Sequence, residues 1–128
     1  MYKKYLMILI LLVLIDIPMI TLINKTMYQK QFMRINKDDM KSNKETIIAG
    51  ILCYLLLALG IYYFVISYDS SQIDVFIRGM ILGLVVYGVY NTTNRFSINE
   101  YGTYESIVDT VWGSLLIGTV SLLVNLLS

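Results

Sequence analysis

Apolar residues fall into four long runs along the chain: Tyr5–Ile23, Thr46–Ser67, Ile73–Tyr90 and Ile107–Leu127. Each has roughly the 17–25 residues that carry an α-helix across the hydrocarbon core of a bilayer. The pattern predicts an all-α polytopic membrane four-helix bundle that forms one membrane domain over residues 1–128. Successive crossings alternate direction. Asp16 near the end of the first run, Asn91 just past the third and Asp109 at the start of the fourth are thus expected at similar depth on one side.

Between the first two runs lies the longest polar stretch, Asn24–Glu45. Lys30, Arg34, Lys37, Lys41 and Lys44 recur there at spacings of 4, 3, 4 and 3. That period places them on one stripe of a helix, with Tyr28, Phe32, Met33, Ile35 and Met40 on the other side. An amphipathic interfacial helix over 25–44 is expected, its apolar face towards the bilayer. Anionic lipid headgroups or a protein partner would meet the basic stripe, at about 1 kcal/mol per cation for lipid.

Local signals sharpen the ends of the runs. Pro18 lacks an N–H and crowds the carbonyl one turn earlier, so a bend or termination is expected near Asp16. Ser42-x-x-Glu45 and Ser71-x-x-Asp74 read as capping motifs for the second and third crossings. The connection Tyr68–Gln72 is short, which predicts a tight antiparallel hairpin of helices two and three. The linker Thr92–Ser106 is longer, and Tyr101 and Tyr104 within it suit a membrane–water interface. Lys3 and Lys4 before Leu6–Ile15 imitate a secretory signal. Asp16, Ile17, Pro18 and Met19 offer no small-residue cleavage pattern, which favours a retained helix.

Composition agrees with the pattern: 57% hydrophobic, 15% charged, mean hydropathy +0.67. Formal net charge is +1, so no nucleic-acid partner is expected. The chain has one cysteine, Cys53, and no histidine, which leaves no expected disulfide, metal centre or cofactor site. Counting Lys and Arg gives seven on the side of Asn24–Glu45 and three on the other. The positive-inside rule then places the Lys-rich segment in the cytoplasm and both termini opposite.

Small residues mark expected helix contacts. Gly79-x-x-x-Gly83 and Ser114-x-x-x-Gly118 permit close backbone approach, with Gly88 and Gly113 extending those surfaces.

The third run closes with Tyr87-Gly88-Val89-Tyr90-Asn91-Thr92-Thr93-Asn94, and the fourth opens with Asp109-Thr110-Val111-Trp112-Gly113. With Asp16, these stretches resemble the small four-helix membrane proteins grouped as domain-of-unknown-function family 2177. That family is similar in carrying an acid near the end of helix one, Tyr-Asp-Leu-Thr-Asn after helix three and Asp-x-x-Trp-Gly at helix four. The resemblance implies the fold and a membrane location, and supplies no activity. The family's aspartate in the first motif is Asn91 here. Occurrence of relatives in large DNA viruses extends the expectation to a viral inner membrane.

A carboxylate buried in a bilayer costs roughly 3 kcal/mol on insertion scales and normally has a partner. Asp16, Asn91, Thr93, Asn94, Arg95, Asp109 and Trp112 form the candidate polar cluster, in which Arg95 is expected to neutralise one acid. Asp109 is alternatively a cap of the fourth helix. Without an activated serine, a cysteine–histidine pair or a phosphate-binding loop, no enzymatic activity is expected. The function expected is that of a structural or assembly subunit of a larger membrane complex; the alternative is a small proton or cation transporter or channel using Asp16 and Asp109.

Overall fold

In a computed structural model the chain is described at residues 2–23, 25–36, 44–66 and 71–128. The helices are α1 (Tyr2–Pro18), α2 (Lys25–Asn36), α3 (Lys44–Ile61), α4 (Gln72–Ser97) and α5 (Thr103–Leu127). Single π-helical turns extend α1 at Met19–Ile23 and α3 at Tyr62–Ile66. Four helical stretches among the described residues are long and apolar enough to cross a membrane. The result is an all-α membrane bundle with α2 between the first two crossings.

Pro18 ends the α-helical part of α1. It is the last α-helical residue, and the hydrogen-bond register widens into the π turn immediately after it. A missing N–H and a ring pressed on the previous turn are the usual cause of such a change.

One face of each helix builds the interior. On α1 the buried positions are Ile8, Leu12 and Asp16, spaced by four, so the carboxylate continues an otherwise apolar stripe. On α4, Val75, Gly79, Gly83 and Asn91 fall on the same repeat of four. Helix α5 supplies Gly113, Leu116, Ile117, Val120, Ser121 and Val124. Outward positions such as Leu6, Ile10, Leu56, Ile81 and Leu84 are exposed and suited to acyl chains.

The most extensive helix–helix contact is α4 on α5. Its antiparallel register starts at Gln72, whose Oε1 accepts from Asn125 Nδ2 at 2.8 Å. It continues where a Cβ on Gly79 would sit 2.9 Å from Gly118 Cα, and one on Gly83 2.8 Å from Ser114 Cα. Gly113 lies flat under the Tyr87 ring, and Ser114 Oγ donates to the Met80 carbonyl at 2.9 Å. Gly88 differs: a Cβ there would meet only Thr110 Cγ2, at 3.8 Å, so it is not a point of close approach.

Several boundaries differ from those read in the sequence. Helix α4 runs through Asn91 to Ser97, and α5 starts at Thr103, which leaves a linker of only 98–102. The tight hairpin is thus α4–α5, whereas α3 and α4 make few direct contacts despite the short connection between them. Asp109 is not the cap of α5, because Gly102 holds that position. Ser71 does cap α4, its Oγ accepting from the Asp74 N–H at 3.4 Å. The Ser42-x-x-Glu45 motif lies outside the described residues, apart from the backbone of Glu45 in α3.

Candidate functional site

The register that pairs Gly79 with Gly118 carries Asn91 to the first turns of α5. There its Nδ2 donates to Asp109 Oδ2 at 2.8 Å, to the Tyr87 carbonyl at 2.8 Å and to Thr110 Oγ1 at 3.2 Å. Its Oδ1 accepts from the Tyr101 hydroxyl at 2.7 Å. Asn91 is only 1% exposed, and both ends of its amide are used. Asp109 completes its own set by accepting from the Tyr28 hydroxyl of α2 at 2.7 Å.

Asp16 has a separate pair of donors. Tyr54 of α3 donates its hydroxyl to Oδ2 at 2.6 Å, and Trp112 of α5 donates Nε1 to Oδ1 at 2.8 Å. Each carboxylate therefore accepts from neutral side chains on two other helices. No buried polar side-chain atom among the described residues lacks a hydrogen-bond partner. Such complete pairing is what a low-dielectric interior requires of polar groups. Tyr54→Phe, which removes one donor to a carboxylate, is expected to lower stability by about 1.5–3 kcal/mol. Thermal unfolding in detergent measures it; a midpoint equal to that of the unaltered protein would mean the bond contributes nothing.

Both acids face one cavity of about 510 Å³. Its wall includes Tyr28, Gln31, Cys53, Tyr87, Tyr90, Asn94 and Tyr101 together with Asp16 and Asp109. The volume lies in the range of roughly 300–1,000 Å³ usual for small-ligand sites, which pair apolar walls with a few convergent polar groups. Helix α2 forms part of that wall. Gln31, buried, accepts from the Gly102 N–H at 3.0 Å and ties α2 to the α4–α5 linker. Burial, and then the neighbouring Asp109, push the Tyr28 phenol well above its ordinary range. Burial also raises Tyr101, to about 12, so both phenols stay protonated donors at neutral pH.

The candidate residues separate into those the fold gathers and those it does not. Asp16, Asn91, Asp109 and Trp112 are joined by the bonds above, and Asn94 lines the cavity. Thr93 is exposed, its carbonyl accepting from Ser97 Oγ. Arg95 is exposed and donates Nε to Thr103 Oγ1 at 2.8 Å rather than to an aspartate. Of the basic stripe, Lys30 is exposed on α2. Lys44 opens α3 instead of ending a surface helix, and its side chain, like that of Arg34, is not among the described ones. Lys37 and Lys41 lie outside the described residues.

Tyr54, Tyr101, Tyr28 and Gln31 were not singled out as site residues in the sequence. Tyr54 had a usable signal: a tyrosine well inside an apolar crossing, away from the interface, needs an internal partner for its hydroxyl. Tyr101 and Gln31 carry no such mark, since their partners lie in other elements.

Fold and site together define a multi-pass helical membrane protein in which two acidic groups, Asp16 and Asp109, line one cavity. The chain belongs to the family described as "Predicted membrane protein (DUF2177)", whose model matches residues 1–126. No curated protein and no solved structure matches it.

Proposed function

We propose that the protein binds a cation or proton in the cavity between Asp16 and Asp109 and passes it across the membrane. The observation that carries this reading is two carboxylates on one cavity wall, each accepting from neutral donors among the described residues. Two formal negative charges inside a bilayer call for a counter-charge, and acids placed this way commonly mark ion or proton paths. Fixed hydroxyl, indole and amide donors orient the carboxylates while leaving the cavity side open to a mobile charge. The role is binding and passage rather than catalysis. The Lys-rich segment faces the cytoplasm in this arrangement, by the excess of basic residues on that side.

Flux in proteoliposomes tests the proposal. Proton or monovalent-cation flux above that of empty liposomes is expected, with Asp16→Asn and Asp109→Asn each reducing it at least about tenfold, the scale of losing one directly involved charge. Flux absent from the unaltered protein, or indifferent to both substitutions, would overturn it.

A second reading, a structural subunit of a larger membrane assembly, draws on the same bonds, because the two acids tie α1 to α3 and α5, and α5 to α2 and α4. Native particle mass after gentle extraction separates the two. A large assembly of fixed stoichiometry supports the subunit, and a free monomer or dimer removes it.

A further inference from the structure

A second cavity of about 540 Å³ lies beside the first. Its α3 wall is Ala49, Leu52, Cys53, Leu56, Leu57 and Gly60, one helical stripe at spacings of three and four. Leu82 and Val86 of α4 face them, where α3 and α4 stand apart. Among the described residues no charged side chain lines this groove, and it extends about 16 Å along α3, from the rise per residue of a helix. Cys53, Leu57 and Val86 line both cavities, so the groove runs into the acid-lined chamber. Cys53 is exposed, as are Ala49, Leu52 and Leu56, which turns the groove towards the lipid side of the bundle.

We infer that the two cavities form one site for a single-chain cationic amphiphile, its alkyl tail in the α3–α4 groove and its ammonium head between Asp16 and Asp109. The inference rests on the cation reading above and names its ligand class. Charge selects the head: two carboxylates attract an amine and repel a phosphate or sulfate of the same tail length. Tyrosine rings on the chamber wall suit an organic cation further. The uncharged groove suits one alkyl chain and is reached sideways from the membrane, so the ligand need not leave the bilayer to enter.

Trp112, the one tryptophan of the chain, donates to Asp16 and provides the readout. In nanodiscs of zwitterionic lipid, its fluorescence is followed on adding decylammonium, methylammonium, decanol or decyl sulfate. Saturable change is expected with decylammonium at a concentration at least about tenfold below that for methylammonium, and with neither decanol nor decyl sulfate. Asp109→Asn is expected to weaken decylammonium about tenfold. Gly60→Phe fills the groove, where a Cβ has Leu82 Cδ2 only at 3.7 Å, and should weaken decylammonium while leaving methylammonium unchanged. Equal affinity for both amines with an inert Gly60→Phe would overturn the amphiphile and leave the cation reading standing. Decanol binding as well as decylammonium would overturn the charge selection. Silence towards both amines would overturn the inference, while the cation or proton reading is judged separately by flux in proteoliposomes. Should Asp109→Asn not fold, Gly60→Phe and the four probes still decide the matter.

Discussion

Gly83→Ala is expected to destabilise the protein by about 3 kcal/mol, the upper range for overpacking a close contact. A Cβ at this position would press on the Gly113 carbonyl and sit 2.8 Å from Ser114 Cα. Both obstacles are backbone, so no rotamer change relieves them and the helices themselves must separate. Separation would also disturb the Ser114 to Met80 bond and the Gly79–Gly118 approach, which share the same interface. Gly88→Ala is the control on the same helix. Its new methyl group would find only Thr110 Cγ2, at 3.8 Å, and an alanine relieves the helix-propensity penalty of glycine, up to about 1 kcal/mol. Thermal unfolding of the two variants in detergent should give opposite signs. A Gly83→Ala protein as stable as the unaltered one would mean that the α4–α5 contact does not depend on bare backbone.

Asn91→Leu is expected to have the second large effect. The leucine would leave Asp109 Oδ2 without its amide donor and the Tyr101 hydroxyl without its acceptor. A buried group stranded in this way costs about 1–3 kcal/mol, which applies to Tyr101, while Asp109, half-buried and on the cavity wall, adds a similar amount at the lower end. The total is about 2–4 kcal/mol if neither finds a new partner. Adding Tyr101→Phe should recover part of the loss, because it removes the stranded donor instead of leaving it unpaired. A double variant no more stable than Asn91→Leu alone would show that the Tyr101 bond is not the source. Asn91→Asp asks a different question. It keeps the shape and the acceptor for Tyr101 but sets a carboxylate against Asp109 in place of a donor. Stability should then hold only while the pair shares a proton.

Much of the bundle is legible in the residues because the bilayer imposes a simple rule. Backbone polar groups must be satisfied within each segment, so a long apolar run has few alternatives to a helix. The four crossings, the change at Pro18 and the Ser71 cap follow from residues acting on their own neighbours. Gly79, Gly83, Gly113 and Gly118 were legible as contact points because only small side chains allow backbones so close. Gly88 obeys the same composition rule and fails it in space, since it falls off the repeat of four at Val75, Gly79, Gly83 and Asn91 that α4 turns inward.

The polar cluster divides along the same line. Asp16, Asn91, Asp109 and Trp112 stand out because polar groups are costly at the ends of apolar runs, and that cost is a property of the sequence. Their partners are another matter. Arg95 is near Asp109 along the chain, yet it follows the exposed face of α4 and meets Thr103. Tyr28, Tyr54 and Tyr101 reach the cluster from α2, α3 and the α4–α5 linker. Separations of 81, 38 and 10 residues between bonded partners leave no periodic trace.

The sequence by itself therefore determined that this is an all-α membrane protein with four long apolar helices, and which residues are too polar to sit among them alone. Hydrophobicity and helix period act locally, and they are written in the order of the residues. Only the tertiary structure decided that α4 pairs with α5 more than with α3, and that neutral donors hold the acids. It also decided that a groove joins their chamber to the lipid face. Those features arise where surfaces of separate helices meet, and the meeting is set by the shape of all the contacts together.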